Sequence, residues 1–359
     1  MQSRRALTLR ALLLVLCLGL ARTAVAQDSS TGPKLSAPEI HGFIELYYRA
    51  GDPLTTDGYR LRKADLKFSG FASPHLRWRV GLDASKALSL STESSVIADS
   101  VALRGASVDQ KSRIVQDAAL TYVFNPNVNV DIGQQLLPLS LEGTISTSQV
   151  ETIERTMFIV ERSRAVGLGD VRDVGVSANG FAANGGVEYH AGVFNETGES
   201  QGTTDTNDQK ALMGRLVFHP SFAPGLEFGG SGGFQGGPTD TRRERLGGEF
   251  QYRTSFYTLR AEAMGARDAA LRRFGWYGLG VIRPTHELQL VARYDSWDKD
   301  LSSESSLNDA YERQIVLGGS YLLEGGIARF VANVVRQDFP NVSDVGNGTF
   351  LLVGFEASF

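Results

Sequence analysis

Three arginines and three glutamates are concentrated at residues 147–164, in the middle of a stretch, residues 137–172, that does not alternate like a β-strand. They are Arg155, Arg162 and Arg164, beside Glu151, Glu154 and Glu161. Arginine is permanently charged and binds carboxylates and phosphate-like anions through directional hydrogen bonds. The charges could pair with one another inside a folded loop. We favour a second role, in which some of them line a narrow passage of low dielectric and attract anions.

The middle of this stretch has the apolar spacing of a helix. Val150, Ile153, Met157 and Val160 follow one another at intervals of three or four residues, which predicts a helix over residues 147–164. The apolar side chains would pack on a surrounding wall and hold the charged face away from it. A loop of this length is usually functional or disordered, and this one is too apolar for disorder.

The first 26 residues have the features of an export signal. A positively charged start precedes an apolar core at residues 11–20, and Ala24-Val25-Ala26 is a cleavage signature. We expect residues 1–26 to be a cleaved signal peptide and the polar residues 27–38 to be a flexible periplasmic lead-in. Cys17 lies in the apolar core of the leader.

Removal of the leader changes the composition of the chain. Four arginines and no acidic residue are lost, which leaves 32 basic against 40 acidic residues, a net charge of −8 and no cysteine. An acidic, cysteine-free, exported chain argues against a disulfide scaffold and against nucleic acid as a partner. The rest of the chain has no run of about 18 apolar residues, so a membrane-spanning helix is not expected.

From residue 39 onward, polar and apolar residues alternate with a period of two, as in a β-strand with unlike faces. Each such segment is about the length that a tilted membrane-spanning strand needs. The sixteen predicted strands are residues 39–49, 59–71, 76–86, 113–124, 128–135, 172–181, 186–195, 210–218, 226–234, 245–254, 256–267, 271–283, 287–297, 313–323, 327–337 and 349–359.

The connections between these strands alternate in length. Even-numbered strands lead into tight turns such as A-S-P-H and N-P-N, whereas odd-numbered strands mostly lead into longer polar links such as residues 87–112. The link at residues 268–270 is a short exception. Short turns at one end and long loops at the other are typical of an outer-membrane barrel, and a soluble sandwich has no such alternation.

The two faces of the strands also favour a barrel. In the last strand Leu351, Val353 and Phe355 share one face, and Glu356 lies on the other. Aromatic residues near strand ends fit the girdles at membrane interfaces. Strand parity directs inward the basic residues Arg77, Arg79, Arg245, Arg253, Arg260, Arg293 and Arg329, and the acidic residues Glu45, Asp83, Asp117, Glu249, Glu262 and Asp295. Because inward charges of both signs are present, we expect an electric field across the lumen and a weak preference for anions. A row of sites dedicated to phosphate would need mostly positive charges.

Most of residues 39–359 resembles the phosphate-selective porin O and P family of outer-membrane porins, and the middle third of the chain is the specific part of the resemblance. The similarity is carried by D-I-G-Q-Q-L-L-P-L-S-L-E and by E-R-T-M-F-I-V-E-R-S-R-A-V-G-L-G-D-V-R-D-V-G-V. The positions that fit the family pattern are Gln134, Gln135, Pro138, Glu154, Arg155, Arg164, Arg172, Gly175 and Val176. Leu136 stands where the family usually has a basic residue.

The resemblance implies several partners. It implies a homotrimer in the outer membrane, in contact with lipid and lipopolysaccharide, with small anions such as phosphate as solutes. It also implies that the terminal Phe359 is the signal read by the barrel-assembly machinery.

Motifs for catalysis or metal binding are not evident. None of the five histidines has a metal-ligand spacing. The letters of G-x-S-x-G occur twice, as G-E-S-Q-G at residues 198–202 and G-G-S-G-G at residues 229–233, but neither lies between a predicted strand and a predicted helix, as a nucleophile elbow requires. The acidic run T-D-T-N-D lacks the glycine and glutamate of a calcium loop. We therefore expect no enzyme activity, no cofactor and no metal site.

Together these patterns predict an all-β fold, a transmembrane antiparallel β-barrel of about sixteen strands in residues 39–359. Residues 137–171 would fold inward as a constriction loop, with Arg155, Arg162, Arg164, Glu154 and Glu161 at the pore constriction. The expected function is passive diffusion of small hydrophilic solutes with an anion or phosphate preference. The alternatives are a general or cation-tolerant porin, a barrel enzyme, and a plugged structural or adhesive barrel.

Overall fold

The computed structural model describes residues 37–52, 56–86, 114–159, 171–195, 209–235, 242–301, 311–340 and 347–359, and the backbone alone of residues 89–97 and 100–109. The predicted signal peptide and all but the last two residues of the predicted lead-in lie outside these ranges. Among the described residues, no helix is long and apolar enough to cross a membrane.

Sixteen antiparallel strands form one closed barrel, in which neighbours along the chain are neighbours in the sheet and the last strand pairs with the first. The barrel strands are β1 Glu39–Ala50, β2 Gly58–Ser73, β3 Leu76–Asp83, β6 Val115–Asn125, β7 Val128–Leu136, β8 Arg172–Ala182, β9 Val187–Phe194, β10 Ala211–Phe218, β11 Leu226–Gln235, β12 Arg243–Arg253, β13 Tyr257–Asp268, β14 Leu271–Ile282, β15 Leu288–Asp298, β16 Tyr311–Leu323, β17 Ala328–Asp338 and β18 Gly348–Ser358. The predicted fold class and all sixteen predicted strands are confirmed.

A two-stranded hairpin lies in the connection between β3 and β6. Its strands, β4 Ser89–Ile97 and β5 Ser100–Asp109, pair only with each other. The prediction of a long polar connection at residues 87–112 is confirmed, but the hairpin within it was not predicted. A local hairpin needs only its own backbone hydrogen bonds, so its serine-rich sequence carries a weak alternation signal.

The barrel sheet has two unlike faces. In β17 the side chains of Arg329, Asn333 and Gln337 are buried, whereas those of Phe330 and Val334 are exposed. The predicted parity of β18 is confirmed, because Leu351, Val353 and Phe355 are exposed and Glu356 is buried. We call the face that carries Glu45, Arg260, Arg293, Arg329 and Glu356 the polar face, and the face that carries Ile44, Leu216, Phe250, Leu317 and Phe355 the apolar face. Exposed apolar groups and buried charges invert the usual pattern of a soluble protein.

The barrel is closed by the pairing of β1 with β18. At the end of this seam Gly42 N donates to Phe359 O at 2.7 Å, and Phe359 N donates to Gly42 O at 3.0 Å. The Phe359 ring covers Gly42, where an added Cβ would lie 2.0 to 2.5 Å from three ring atoms. Glycine at position 42 thus makes room for the terminal aromatic ring against the first strand.

Deletion of Phe359 should lower the yield of membrane-inserted protein, because it removes two backbone hydrogen bonds and the ring contact at the seam. Each lost hydrogen bond contributes about 1 kcal/mol. The yield is measured as the heat-modifiable band of outer-membrane fractions on a gel. Phe222→Ala is the control, since Phe222 is 85% exposed in the turn between β10 and β11. Equal yields for the deletion and the control would contradict this role of Phe359.

Candidate functional site: the anchored segment and the polar face

Residues 137–159, which follow β7, lie against the polar face of the sheet, and we call them the anchored segment. The segment contains one helical turn, Leu141–Thr144, in which the N-cap Ser140 accepts a hydrogen bond from Gly143 N at 2.9 Å. A 3-10 turn, Thr147–Gln149, follows. The helix predicted over residues 147–164 is therefore wrong for its described part. Residues 160–170, which include Val160, Glu161, Arg162 and Arg164, lie outside the described residues.

A carboxylate on the sheet caps the helical turn. Leu141 N and Glu142 N donate to the two carboxylate oxygens of Glu262 on β13, both at 3.1 Å. Ser140 N donates to Ser231 Oγ on β11 at 2.9 Å. The first amides of a helix have no partner within the helix, so the buried carboxylate supplies the acceptor that they need.

Arg260 on β13 joins two glutamates of the anchored segment. Its guanidinium donates to Glu142 Oε2 at 3.3 Å and to both oxygens of Glu151 at 3.0 and 3.2 Å. Its Nε donates to Gln251 Oε1 at 2.9 Å. Arg260 is 2% exposed. At this depth, loss of the cation would leave two buried carboxylates without their counter-charge.

Arg293 on β15 binds the irregular backbone of the segment. It donates to Thr152 Oγ1 and Glu154 O at 2.6 Å, to Arg155 O at 3.3 Å and to Asp295 at 2.9 Å. Carbonyls that a continuous helix would have used internally are thus satisfied by side chains of the wall. This competition explains why the helical spacing did not produce a helix.

Three further wall residues complete this network. On β17, Arg329 donates to Val150 O at 2.6 Å and to Glu356 at 2.8 Å, and Asn333 accepts from Ile153 N at 2.8 Å. On β1, Arg49 forms ion pairs with Glu154 and Asp52.

Apolar contacts fix the same segment. Ile153 is buried in a cluster with Tyr47, Val316, Val331, Val335, Phe350 and Leu352. Met157, Phe158 and Ile159 belong to a second cluster with Met264, Ala266, Tyr277, Leu279, Val281, Val291 and Trp297. The prediction that Val150, Ile153 and Met157 pack on the wall is confirmed, since all three are buried and two belong to these clusters.

Arg155 stabilises the fold of the anchored segment through hydrogen bonds within the segment. Its side chain is 6% exposed and donates to Glu142 O and to Ile145 O, the latter at 2.6 Å. The alternative in which Arg155 pairs with Glu151 or Glu154 is wrong, because those glutamates pair with Arg260 and Arg49. Arg49, Glu142 and Asn333 were missed by sequence reasoning, because their role depends on contacts more than a hundred residues away.

The seven arginines that parity directed inward all lie on the polar face, but their surroundings differ. Arg260, Arg293 and Arg329 bind the anchored segment, whereas Arg79 pairs with Asp131 at 3.0 Å and Arg245 with Asp268 at 2.8 Å. Arg253 is exposed and reaches Glu151 at 3.4 Å. Arg77 is exposed near the short turn between β2 and β3.

A cavity of about 330 Å³ opens on the polar face beside Arg77. Its charged lining consists of Glu39, Lys67, Arg77, Arg79 and Asp117, and His41 also lines it. Asp117 pairs with Arg172 at 3.2 Å, and Glu39 lies 3.9 Å from His41. Lys67 and Arg77 are exposed and form no ion pair with the residues that the structure describes. The cavity therefore holds an excess of positive charge.

The family description of the phosphate-selective porin O and P family matches residues 39–272, well over half of the chain. The protein belongs to this family. It is therefore an outer-membrane channel by family, and the family is one of channels, not of enzymes. The resemblance found in the sequence is confirmed.

Solved porin structures share the barrel of this porin at low sequence identity. An anion-selective porin from Comamonas acidovorans is 14% identical, with a TM-score of 0.59 over 90% of this chain and 99% of the other. The outer-membrane channel DcaP of Acinetobacter baumannii is 11% identical, with a TM-score of 0.59 over 94% and 100%. OmpT of Vibrio cholerae, solved in a trimer form, is 10% identical, with a TM-score of 0.57 over 90% and 99%. None of the curated proteins matches this porin in sequence.

Proposed function

We propose that this porin forms a water-filled channel for passive diffusion of small hydrophilic solutes, and that the anchored segment crosses its lumen and narrows it. One observation carries the proposal. Ser231 on β11 and Arg49 on β1 both contact the segment, and these strands lie half-way round the barrel from each other. A segment held from opposite sides of the polar face leaves a smaller passage than the barrel wall alone would.

The proposed lumen is lined by the polar face, and the apolar face meets lipid. In a barrel of sixteen strands the interior is wide enough for an aqueous passage. Ion pairs such as Arg79 with Asp131 fix side chains along the wall. The arginines that bind the segment act as its anchors, and Arg155 stabilises its fold. Glu154 lies near the proposed constriction and is held there by its ion pair with Arg49. Glu161, Arg162 and Arg164 are further candidates for lining the same passage.

We propose a weak anion preference that arises at Lys67 and Arg77. Both are exposed on the polar face without an ion pair among the described residues, so their field acts on passing ions. The family description names phosphate, and one structural neighbour is named an anion-selective porin. The second candidate is a general or cation-tolerant porin, which is favoured by the pairing of wall arginines with carboxylates, as in Arg79 with Asp131 and Arg245 with Asp268.

Replacement of Lys67 and Arg77 together by glutamine should lower the chloride-over-potassium permeability ratio. The measurement is the reversal potential across a planar bilayer in a salt gradient. Arg336→Gln is the control, because Arg336 is exposed on the apolar face and is already paired with Asp338 at 2.6 Å. An unchanged ratio in the double variant would contradict the assignment to these residues. A wild-type ratio below one would favour the cation-tolerant alternative.

The proposal extends to assembly and export. Residues 1–26 would direct export and be cleaved, and Phe359 would be recognised during barrel assembly. A homotrimer is supported by the trimer form of OmpT.

A further inference from the structure

A row of arginines lies on the apolar face, at the end of the barrel that carries the long connections. Its members are Arg242 before β12, Arg267 near the end of β13 and Arg272 near the start of β14. Strand parity places them on the same face as Leu246, Phe274 and Trp276, which are exposed two to four residues further along the strands, toward the middle of the barrel wall. Charged groups beside exposed aromatic rings mark the boundary between the hydrocarbon and headgroup layers of a membrane.

Arg267 and Arg272 stand directly opposite each other in the β13–β14 register. Like charges in directly opposite positions destabilise a sheet unless an anion lies between them. Arg267 donates through Nε to Ala269 O at 3.0 Å, and neither arginine forms an ion pair with a described residue. Arg272 is exposed and Arg267 is half-buried.

The acidic neighbours of this pair are already engaged. Glu244, opposite Arg267, is ion-paired with Arg242, whose guanidinium also lies 5.1 Å above the Phe234 ring. Asp298 on β15 lies opposite Phe274 and accepts a hydrogen bond from Asp300 N at 3.1 Å. The two arginines therefore retain an excess of positive charge at the rim.

The connection between β13 and β14 at this end of the barrel is also short. Only residues 269 and 270 connect β13 with β14, the shortest connection between barrel strands at this end. A neighbouring pair such as β15 and β16 is joined by twelve residues. A headgroup in the outer leaflet can therefore reach Arg267 and Arg272 from the side without a long intervening loop of that hairpin.

We propose that Arg267 and Arg272 form a binding site for the phosphate groups of an outer-leaflet glycolipid. A phosphate between the two guanidinium groups would relieve their repulsion and accept charge-assisted hydrogen bonds from both. The acyl chains of the same lipid would lie along Phe274 and Trp276, on the strand that carries Arg272. The lipid class is thus a phosphorylated, multiply acylated glycolipid of the lipid A type.

The test is a comparison of lipid A binding by the full-length porin and by R267Q/R272Q, measured by native mass spectrometry from detergent. Bisphosphorylated lipid A should bind the double variant at least about tenfold more weakly, as expected for the loss of hydrogen bonds to a charged group. R336Q should bind like wild type, since Arg336 lies on the same face at the same end but is paired with Asp338. Dephosphorylated lipid A should bind wild type as weakly as lipid A binds the double variant.

Three results would overturn the proposal. Equal affinity of wild type and R267Q/R272Q for lipid A would remove the site. Displacement of the lipid by an equal concentration of inorganic phosphate would indicate a site for small anions only. A loss of oligomers in R267Q/R272Q, with lipid binding unchanged, would indicate a contact between copies of the chain. The heat-modifiable band of each variant shows that the barrel has folded.

Discussion

Arg260→Ala is expected to release the anchored segment from the wall and to enlarge the channel. The substitution leaves Glu142 and Glu151 buried without the cation that both contact. Removal of one partner from a buried ion pair costs about 3–5 kcal/mol. Single-channel conductance in a planar bilayer should rise above that of wild type, and the temperature at which the heat-modifiable band is lost should fall.

The matched control is Arg253→Ala. Arg253 contacts the same Glu151 Oε1 at 3.4 Å, but its side chain is 44% exposed. A pair of this kind contributes about 0–1 kcal/mol, so conductance and thermal stability should stay close to those of wild type. Identical conductance in a folded Arg260→Ala variant and in wild type would show that Arg260 does not hold the segment in place.

Gly275→Val should displace the far end of the anchored segment. A Cβ at position 275 would lie 2.5 Å from Phe158 Cβ and 2.6 Å from Phe158 Cγ, in the cluster with Tyr277 and Trp297. Overpacking of a filled site costs about 1–3 kcal/mol. The Phe158 ring therefore has to leave its site, and we expect a larger and noisier single-channel conductance.

Gly278→Val is the matched control, because it makes the same substitution on the same strand at a site without a close neighbour. Position 278 belongs to the apolar face, and nothing lies within 4 Å of a Cβ built there. The added side chain should leave conductance unchanged. Equal conductance in Gly275→Val, Gly278→Val and wild type would contradict the placement of Phe158.

The barrel was predictable because its signal is local and repeated. Each strand carries its own alternation, as in Phe330 and Val334 against Arg329 and Asn333, and the requirement for two unlike faces recurs sixteen times. The β4–β5 hairpin escaped prediction because its serine-rich sequence alternates only weakly between polar and apolar residues.

The anchored segment was predictable in position and in its apolar contacts, but not in its conformation. The spacing of Val150, Ile153 and Met157 arises from burial against the wall, which a helix and an irregular segment can both satisfy. Arg155 was expected in a passage and is instead a donor to the segment's own carbonyls. Arg260 binds the nearby Glu151, and Arg293 binds the backbone of Arg155. Both arginines lie more than a hundred residues further along the chain, so no local sequence pattern predicts these contacts.

If the barrel is an open channel narrowed by a segment anchored through Arg260, the size of its conductance steps depends on Arg260. Single-channel recording of purified wild type and Arg260→Ala in planar bilayers tests it most directly. We expect discrete, ohmic conductance steps for wild type and larger steps for Arg260→Ala. A wild-type protein that folds and inserts but gives no steps would be a plugged barrel, and steps of equal size in both proteins would contradict the narrowing by the anchored segment.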